Sequence, residues 1–383
     1  MAPIYMDHNA TTPLRAEVRE AMLPYLQEEF GNASSIHTFG RQAAKGINRA
    51  REQVAGALGC RPEEVVFTGG GTEADNQAIK GVAYAYRGKG DHIITTQIEH
   101  HAVLHTCQYL ERQGFRVTYL PVDGYGVVDP DDVKKAITSR TILISVMHAN
   151  NEVGTVQPLA EIGRIAREKD VLLHTDAIQT FGKLPTRVDE LGVDLLSLSA
   201  HKLYGPKGVG ALYVRQGTRL DPLLHGGHHE RNRRAGTENV AGIVGLGRAV
   251  ELALAEMEEE AGRLASLRER LWDGIAANVE GVQRRGHPTQ ALPGTLNVCF
   301  EYIEGESIVL GLDMKGIAVS SGSACTAGAL DPSHVLLAMG LGPGIAQGAV
   351  RFSLGRENTV EQVDYVVAAL QGVIKPLQTT LAS

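Results

Sequence analysis

The sequence predicts an α/β fold: a larger domain built on a mostly parallel sheet flanked by helices, then a smaller α/β domain at the C-terminal end. Three observations carry this. Short aliphatic, β-branched runs alternate with helical patterns from about residue 15 to 215. Those runs are apolar throughout rather than alternating, as expected of strands covered on both faces. From Leu246 the pattern changes to a single long amphipathic helix, an element that commonly bridges domains.

The strands are expected at 65–67, 92–96, 116–120, 141–147, 171–173, 195–199 and 209–214, with helices between them at 72–86, 101–113 and 159–169. Leu246, Val250, Leu254, Met257, Ala261, Leu264, Leu267, Leu271 and Ile275 recur at three- and four-residue steps, one apolar face of a helix of about 30 residues. Glu256 and the run 258–260 then turn to solvent. The rest, through 296–300 and 317–320, mixes strands and helices. The domain change falls inside the long helix: 15–255 forms the large domain, and 1–14 with 256–383 the small one.

Composition narrows the function. The 383 residues carry a net charge of -7 with no Lys/Arg run, which argues against nucleic acid as a partner. No apolar run approaches the ~18 residues a membrane helix needs, so no membrane partner is expected. The start, MAPIYMDHNATTP, lacks a basic stretch followed by an apolar one, so no signal peptide is expected. The four cysteines at 60, 107, 299 and 325 form no C-x-x-C pair and no disulfide framework. A reducing cytoplasm is the expected compartment.

Three motifs carry chemistry. Thr68-Gly69-Gly70-Gly71-Thr72-Glu73 follows a strand and opens a helix, where free N–H groups and the Thr72 hydroxyl can hold a phosphate. It is neither a P-loop nor a dinucleotide fingerprint, and a plain βα turn capped by Thr72 is the alternative. Asp176, in His174-Thr175-Asp176-Ala177, ends a strand, where a carboxylate either serves a site or caps a helix. Lys202 follows the next strand in Ser199-Ala200-His201-Lys202; desolvated there, its amine can form a Schiff base. A phosphate cradle, a carboxylate for a pyridine nitrogen and a lysine for an aldehyde together point to pyridoxal 5'-phosphate.

With these stand Tyr5 to Pro13, Ile98-Glu99-His100-His101, His148-Ala149-Asn150-Asn151-Glu152, Arg234-Ala235-Gly236-Thr237, Ser321-Gly322-Ser323-Ala324-Cys325 and Arg351-Phe352-Ser353. In this order and spacing the set resembles cysteine desulfurases of the NifS/IscS type, class V aminotransferase-fold enzymes, from residue 5 to about 370. The resemblance implies a fold-type I pyridoxal-phosphate-dependent transferase. It would convert L-cysteine to L-alanine and a persulfide on Cys325, then pass the sulfur to an acceptor protein such as an iron–sulfur scaffold or a thiolation protein.

By this resemblance Lys202 holds the cofactor aldehyde and later moves protons at the substrate's α-carbon, Asp176 pairs with the pyridine nitrogen, and Gln179 bonds the phenolic oxygen. Gly71, Thr72, Ser199 and His201 bind the phosphate. Thr237 completes that site from a partner subunit, which implies a homodimer. His100 stacks on the pyridine ring and acts as an acid or base; Asn151 and Arg351 grip cofactor and substrate carboxylate. Cys325 sits among small residues, which predicts a mobile loop over 322–328, whereas Cys60, Cys107 and Cys299 are expected to be structural or incidental. His225, His228, His229 and Glu230 suggest a metal, but the family has a Gly-Gly turn here and no metal is expected. An aminotransferase, a selenocysteine lyase and a non-catalytic scaffold are the rival readings; Cys325 counts against the first, and Lys202, Asp176, His100 and Cys325 against the last. The chain stops soon after the helix expected at 360–374, short of the segment that docks the scaffold in the housekeeping branch, which leaves the acceptor open.

Overall fold

The computed structural model describes residues 3–321 and 332–381; Cys325 and the loop expected over 322–328 lie outside them. The large sheet has seven strands in the order Val65–Thr68, Gly210–Val214, Leu195–Ser199, Leu172–Asp176, Thr141–Ser145, His92–Thr96 and Arg116–Leu120. All are parallel except Gly210–Val214, which pairs antiparallel with both neighbours. Five of the seven are buried along their whole length, as their continuous apolar sequences require. Helices Gly71–Ala85, His101–Arg112 and Leu159–Glu168 lie where the periodicity predicts them.

A second sheet is antiparallel, in the order Ser320–Ser321, Ala349–Ser353, Thr295–Phe300 and Val282–Arg285. The N-terminal strand Ile4–Tyr5 joins this region by pairing with Ile317–Ala318, far away in sequence. The helix Thr38–Leu58, not expected from sequence, packs on the long helix; it is Ala- and Gly-rich, and its small residues Ala43, Gly46 and Ala50 are buried.

The bridging helix runs from Val240 to Asn278, longer than the periodicity suggested. Its first turns bury Ile243, Leu246 and Val250 in the core beneath the large sheet, and its last turns bury Leu264, Leu267, Leu271 and Ile275 in a separate core against the antiparallel sheet. The middle differs from the expected apolar stripe. Leu254 is exposed and Met257 only half-buried, because that turn crosses the gap between the cores. Glu256 there does not simply face solvent: it pairs with Arg15 at 2.8 Å and Arg356 at 2.7 Å, fastening the crossing to both flanks.

Candidate active site

Parallel strands deliver the residues that follow them to one edge, where helix N-termini also point. The turn after Val65–Thr68 has Gly70 at φ +151° with ψ -178°, a backbone that L side chains rarely adopt. At Gly71 a Cβ would stand 2.2 Å from Ile178 Cδ1, so a larger residue there would have to displace the Ile178 side chain. His100 caps helix His101–Arg112, its Nδ1 accepting from the Ala102 amide at 3.1 Å. Asp176 closes the strand Leu172–Asp176 and its Oδ1 accepts from Ile178 N at 2.9 Å. Ser199 ends Leu195–Ser199, and Lys202 lies in the single turn Ala200–Lys202 that follows.

These ends open onto one cavity of about 350 Å³. Gly71, Thr72, His100, Asn151, Asp176, Gln179, Ser199, His201, Lys202 and Arg351 all line it, joined by Asn9, Ala10, Met147, Ala149 and Ile178. Arg351 arrives from the antiparallel sheet, register-paired with Asn297 and Ser320. Its Nη2 donates to Asp7 at 2.8 Å and its Nη1 to the Asn151 carbonyl at 3.0 Å, while Nε has no partner among the described residues. Thr237 stands apart: it is exposed and does not line the cavity of its own chain.

Burial sets the protonation states. It pushes His100 and His201 down to about 4, with Lys202 adding to the effect on both, so both rings are neutral at pH 7. It raises Asp176 to about 6, against the pull of the Ile178 amide and of Lys202. The Lys202 ammonium is buried and donates to the carbonyls of Asn9 and of Ala10, the latter at 2.7 Å. None of the three described cysteines is activated: burial lifts Cys60 to about 12 and raises Cys107 and Cys299 as well.

Several contributors carry no local signal strong enough to single them out in the sequence. The segment Asp7 to Thr11 enters there only through the family resemblance, yet Asn9 and Ala10 hold Lys202, Asp7 holds Arg351, and Thr11 Oγ1 lies 3.1 Å from His201 Nδ1. Its run of small polar residues was the available signal. Lys183 does not line the cavity but stands close enough to feel its charges: burial, then Lys202 and Arg351, push its amine down to about 7. Glu99 and Glu152 are buried carboxyls beside His100 and Asn151, raised by burial to about 8 and about 7. Glu230, weighed above as a metal ligand, pairs through both oxygens with Arg51 at 2.7 and 2.8 Å and accepts from Phe67 N at 3.0 Å.

The class-V aminotransferase family model matches residues 4–366. The chain belongs to the class-V aminotransferase family. Within it, the chain is 55% identical over 376 residues to the cysteine desulfurase IscS of Dictyoglomus turgidum, covering 98% of this chain and 95% of that one. It is 57% identical over 375 residues to the IscS of Methanosarcina thermophila, covering 98% and 93%. Among solved structures, a NifS-like protein superposes with a TM-score of 0.92 at 43% identity, covering 97% of this chain and 99% of its own. SspA in complex with cysteine superposes at 0.83 with 41% identity, covering 92% and 98%. The chain is thus a member of the cysteine desulfurases of the NifS/IscS type, with the fold-type I architecture expected of it.

Members of this family depend on pyridoxal phosphate, and the cavity suits that group. Gly71 and Thr72, at the N-terminus of the helix Gly71–Ala85, line the cavity, where free N–H groups suit an anion. Asp176 is a buried carboxylate at the cavity wall. The buried Gln179 Oε1 has no partner among the described residues, its Nε2 being spent on the Asn9 carbonyl at 3.0 Å. Lys202 supplies an amine in the lining of the same cavity.

Proposed function

We propose that this protein converts L-cysteine to L-alanine while Cys325 becomes a persulfide, and that the sulfur then passes to an acceptor protein. Pyridoxal phosphate, when bound, supplies an aldehyde that captures the substrate amine and a ring that withdraws electrons from the α-carbon. Gly71, Thr72, Ser199 and His201 hold its phosphate, and Thr237 reaches the same site from a second copy, which makes the enzyme a homodimer. With the cofactor bound, Asp176 would hold a positive ring nitrogen, Gln179 would hydrogen-bond the phenolic oxygen, and His100, neutral at pH 7, would stack on the ring. Arg351 and Asn151 hold the substrate carboxylate; a guanidinium can donate two parallel bonds to it. Lys202 moves the proton at the α-carbon.

The Cys325 thiolate attacks the substrate sulfur. A sulfur–sulfur bond forms, the carbon–sulfur bond breaks, and its electron pair stays on the carbon that is then protonated to give alanine. Cys325 follows Ser321 by four residue steps, and Val350, the register partner of Ser321, adjoins Arg351; that length of chain spans at most about 14 Å. The observation that carries the reading is the convergence of ten expected residues, spread from Gly71 to Arg351, on one cavity.

The division into 15–255 and 1–14 with 256–383 belongs to the same proposal, supported by the two separate apolar cores. Iron–sulfur scaffolds and thiolation proteins are the acceptors proposed, and the cytoplasm the compartment; among the described residues no helix is long and apolar enough to cross a membrane. The test is Cys325→Ser. Cysteine should still bind and shift the cofactor's visible absorbance, while neither alanine nor persulfide accumulates. Wild-type alanine formation by this variant would move the nucleophile elsewhere and remove the core of the reading.

A further inference from the structure

Two turns that follow neighbouring strands contribute to the cavity lining: one carries Glu99 and His100, the other Asn151 and Glu152. Both are tied to the short helix His334–Ala338, which no step above uses. Ser333, its N-cap, donates its hydroxyl to Glu152 Oε2 at 2.5 Å and accepts from Leu336 N at 3.3 Å. Next to it, His334 Nε2 lies 3.0 Å from the Glu99 carbonyl, and the His334 ring sits 4.8 Å from that of His101. Val335, Leu336 and Met339 pack with Ile98, Met147 and Val153, the apolar residues of the same two turns.

Glu152 is itself firmly placed. Its amide donates to Asn150 Oδ1 at 2.8 Å, and Asn150 Nδ2 donates to the Ile98 carbonyl at 2.9 Å, joining the two turns. Its side chain is buried and has no counter-ion in contact among the described residues; the Ser333 hydroxyl and the nearby Arg351 charge only partly offset the cost of burial. A buried carboxyl is expensive to keep, so its single short bond to a helix cap calls for a reason.

We propose that Glu152 is a positioning residue: through Ser333 it locks the helix His334–Ala338 to the wall bearing Asn151, and so sets where the chain that carries Cys325 is anchored relative to bound cysteine. This rests on Cys325 being the nucleophile. Glu152 does not line the cavity, so it acts on the sulfur step without touching substrate.

The experiment uses the holoenzyme and three readouts. These are single-turnover persulfide formation on Cys325, equilibrium cysteine binding in a Cys325→Ser background, and amide exchange across residues 335–339. Glu152→Ala should slow persulfide formation about tenfold, leave cysteine affinity within about twofold, and raise exchange in the helix. Ser333→Ala should do the same, and the double variant should be no slower than the slower single, because both remove one interaction. Glu152→Gln keeps an oxygen for the Ser333 hydroxyl and should restore exchange protection and most of the rate, which separates loss of the bond from misfolding. Multiplicative effects of the two alanines, unchanged exchange, or a loss of cysteine affinity as large as the loss of rate would each overturn the proposal. Failure of the underlying reading is distinct: the Cys325→Ser protein would then itself form alanine.

Discussion

Arg351→Lys tests how the substrate carboxylate is held. The guanidinium is 3% exposed in the middle of the strand Ala349–Ser353, and its fork is already engaged by Asp7 at 2.8 Å and the Asn151 carbonyl at 3.0 Å. Those two contacts fix the plane of the guanidinium at the cavity wall and leave one hydrogen on each Nη for a ligand, while Nε is buried and has no partner among the described residues. Lysine keeps the charge and can keep Asp7, but it has no planar fork, so one charge-assisted bond to the carboxylate is lost. Such a bond is worth about 1.5–3 kcal/mol, or about 10- to 150-fold in affinity. The carboxylate is bonded to the α-carbon but none of its own bonds is made or broken, so the loss should fall on ground state and transition state alike; KM for cysteine should rise by that factor while kcat stays within about threefold. Steady-state alanine formation over a range of cysteine concentrations measures both. An unchanged KM with a collapsed kcat would mean that Arg351 merely clasps Asp7 to Asn151, and the assignment of the carboxylate site would fall.

Asp176→Asn keeps an Oδ1 for the Ile178 amide but removes the charge, and kcat should fall about a hundredfold or more; a near-normal rate would leave Asp176 as a structural cap. Glu230→Ala strands Arg51, whose side chain is 8% exposed, and releases the left-handed run Glu230, Arg231 and Asn232; urea unfolding should show a loss of about 3–5 kcal/mol, and a loss under about 1 kcal/mol would refute the buried pair as the pin of that loop. Glu99 holds its proton up to about 8 in the folded protein, against an ordinary 4.5, so its contribution is favourable below pH 4.5 and is lost as pH rises towards 8. Glu99→Gln cannot ionise and keeps an acceptor for Thr96 and Met147, so the variant should gain on the wild type by up to about 1.4 kcal/mol per pH unit between pH 5 and 8; a pH-independent difference in urea stability would show Glu99 to be ionised.

Much of the site is legible in the sequence because of where parallel strands end. Gly71, His100, Asp176, Ser199 and Lys202 each follow a continuous apolar run, and residues at such ends must gather at one edge. The phosphate cradle, carboxylate and lysine can therefore be read as one constellation from local sequence. The helix at 240–278 is legible for the same reason, as a period confined to its own residues. The apolar positions Leu254 and Met257 fit that period but not the core, since periodicity says which face is apolar and not what stands opposite it.

The contacts that complete the site belong to tertiary packing alone. Asn9 N donates to Ser353 Oγ across 344 residues of chain, and its carbonyl receives Lys202. Asp7 meets Arg351 across 344 residues of chain, and Glu152 meets Ser333 across 181. Sequence by itself determined the α/β class, the strand ends and the chemical types placed there, because those follow from backbone propensity and burial over a few residues. Which backbone carbonyls receive the Lys202 ammonium, which carboxylate orients Arg351, and which buried acid holds the helix cap were decided when two cores closed on each other, because hydrogen bonds between distant segments depend on distances that no local pattern encodes.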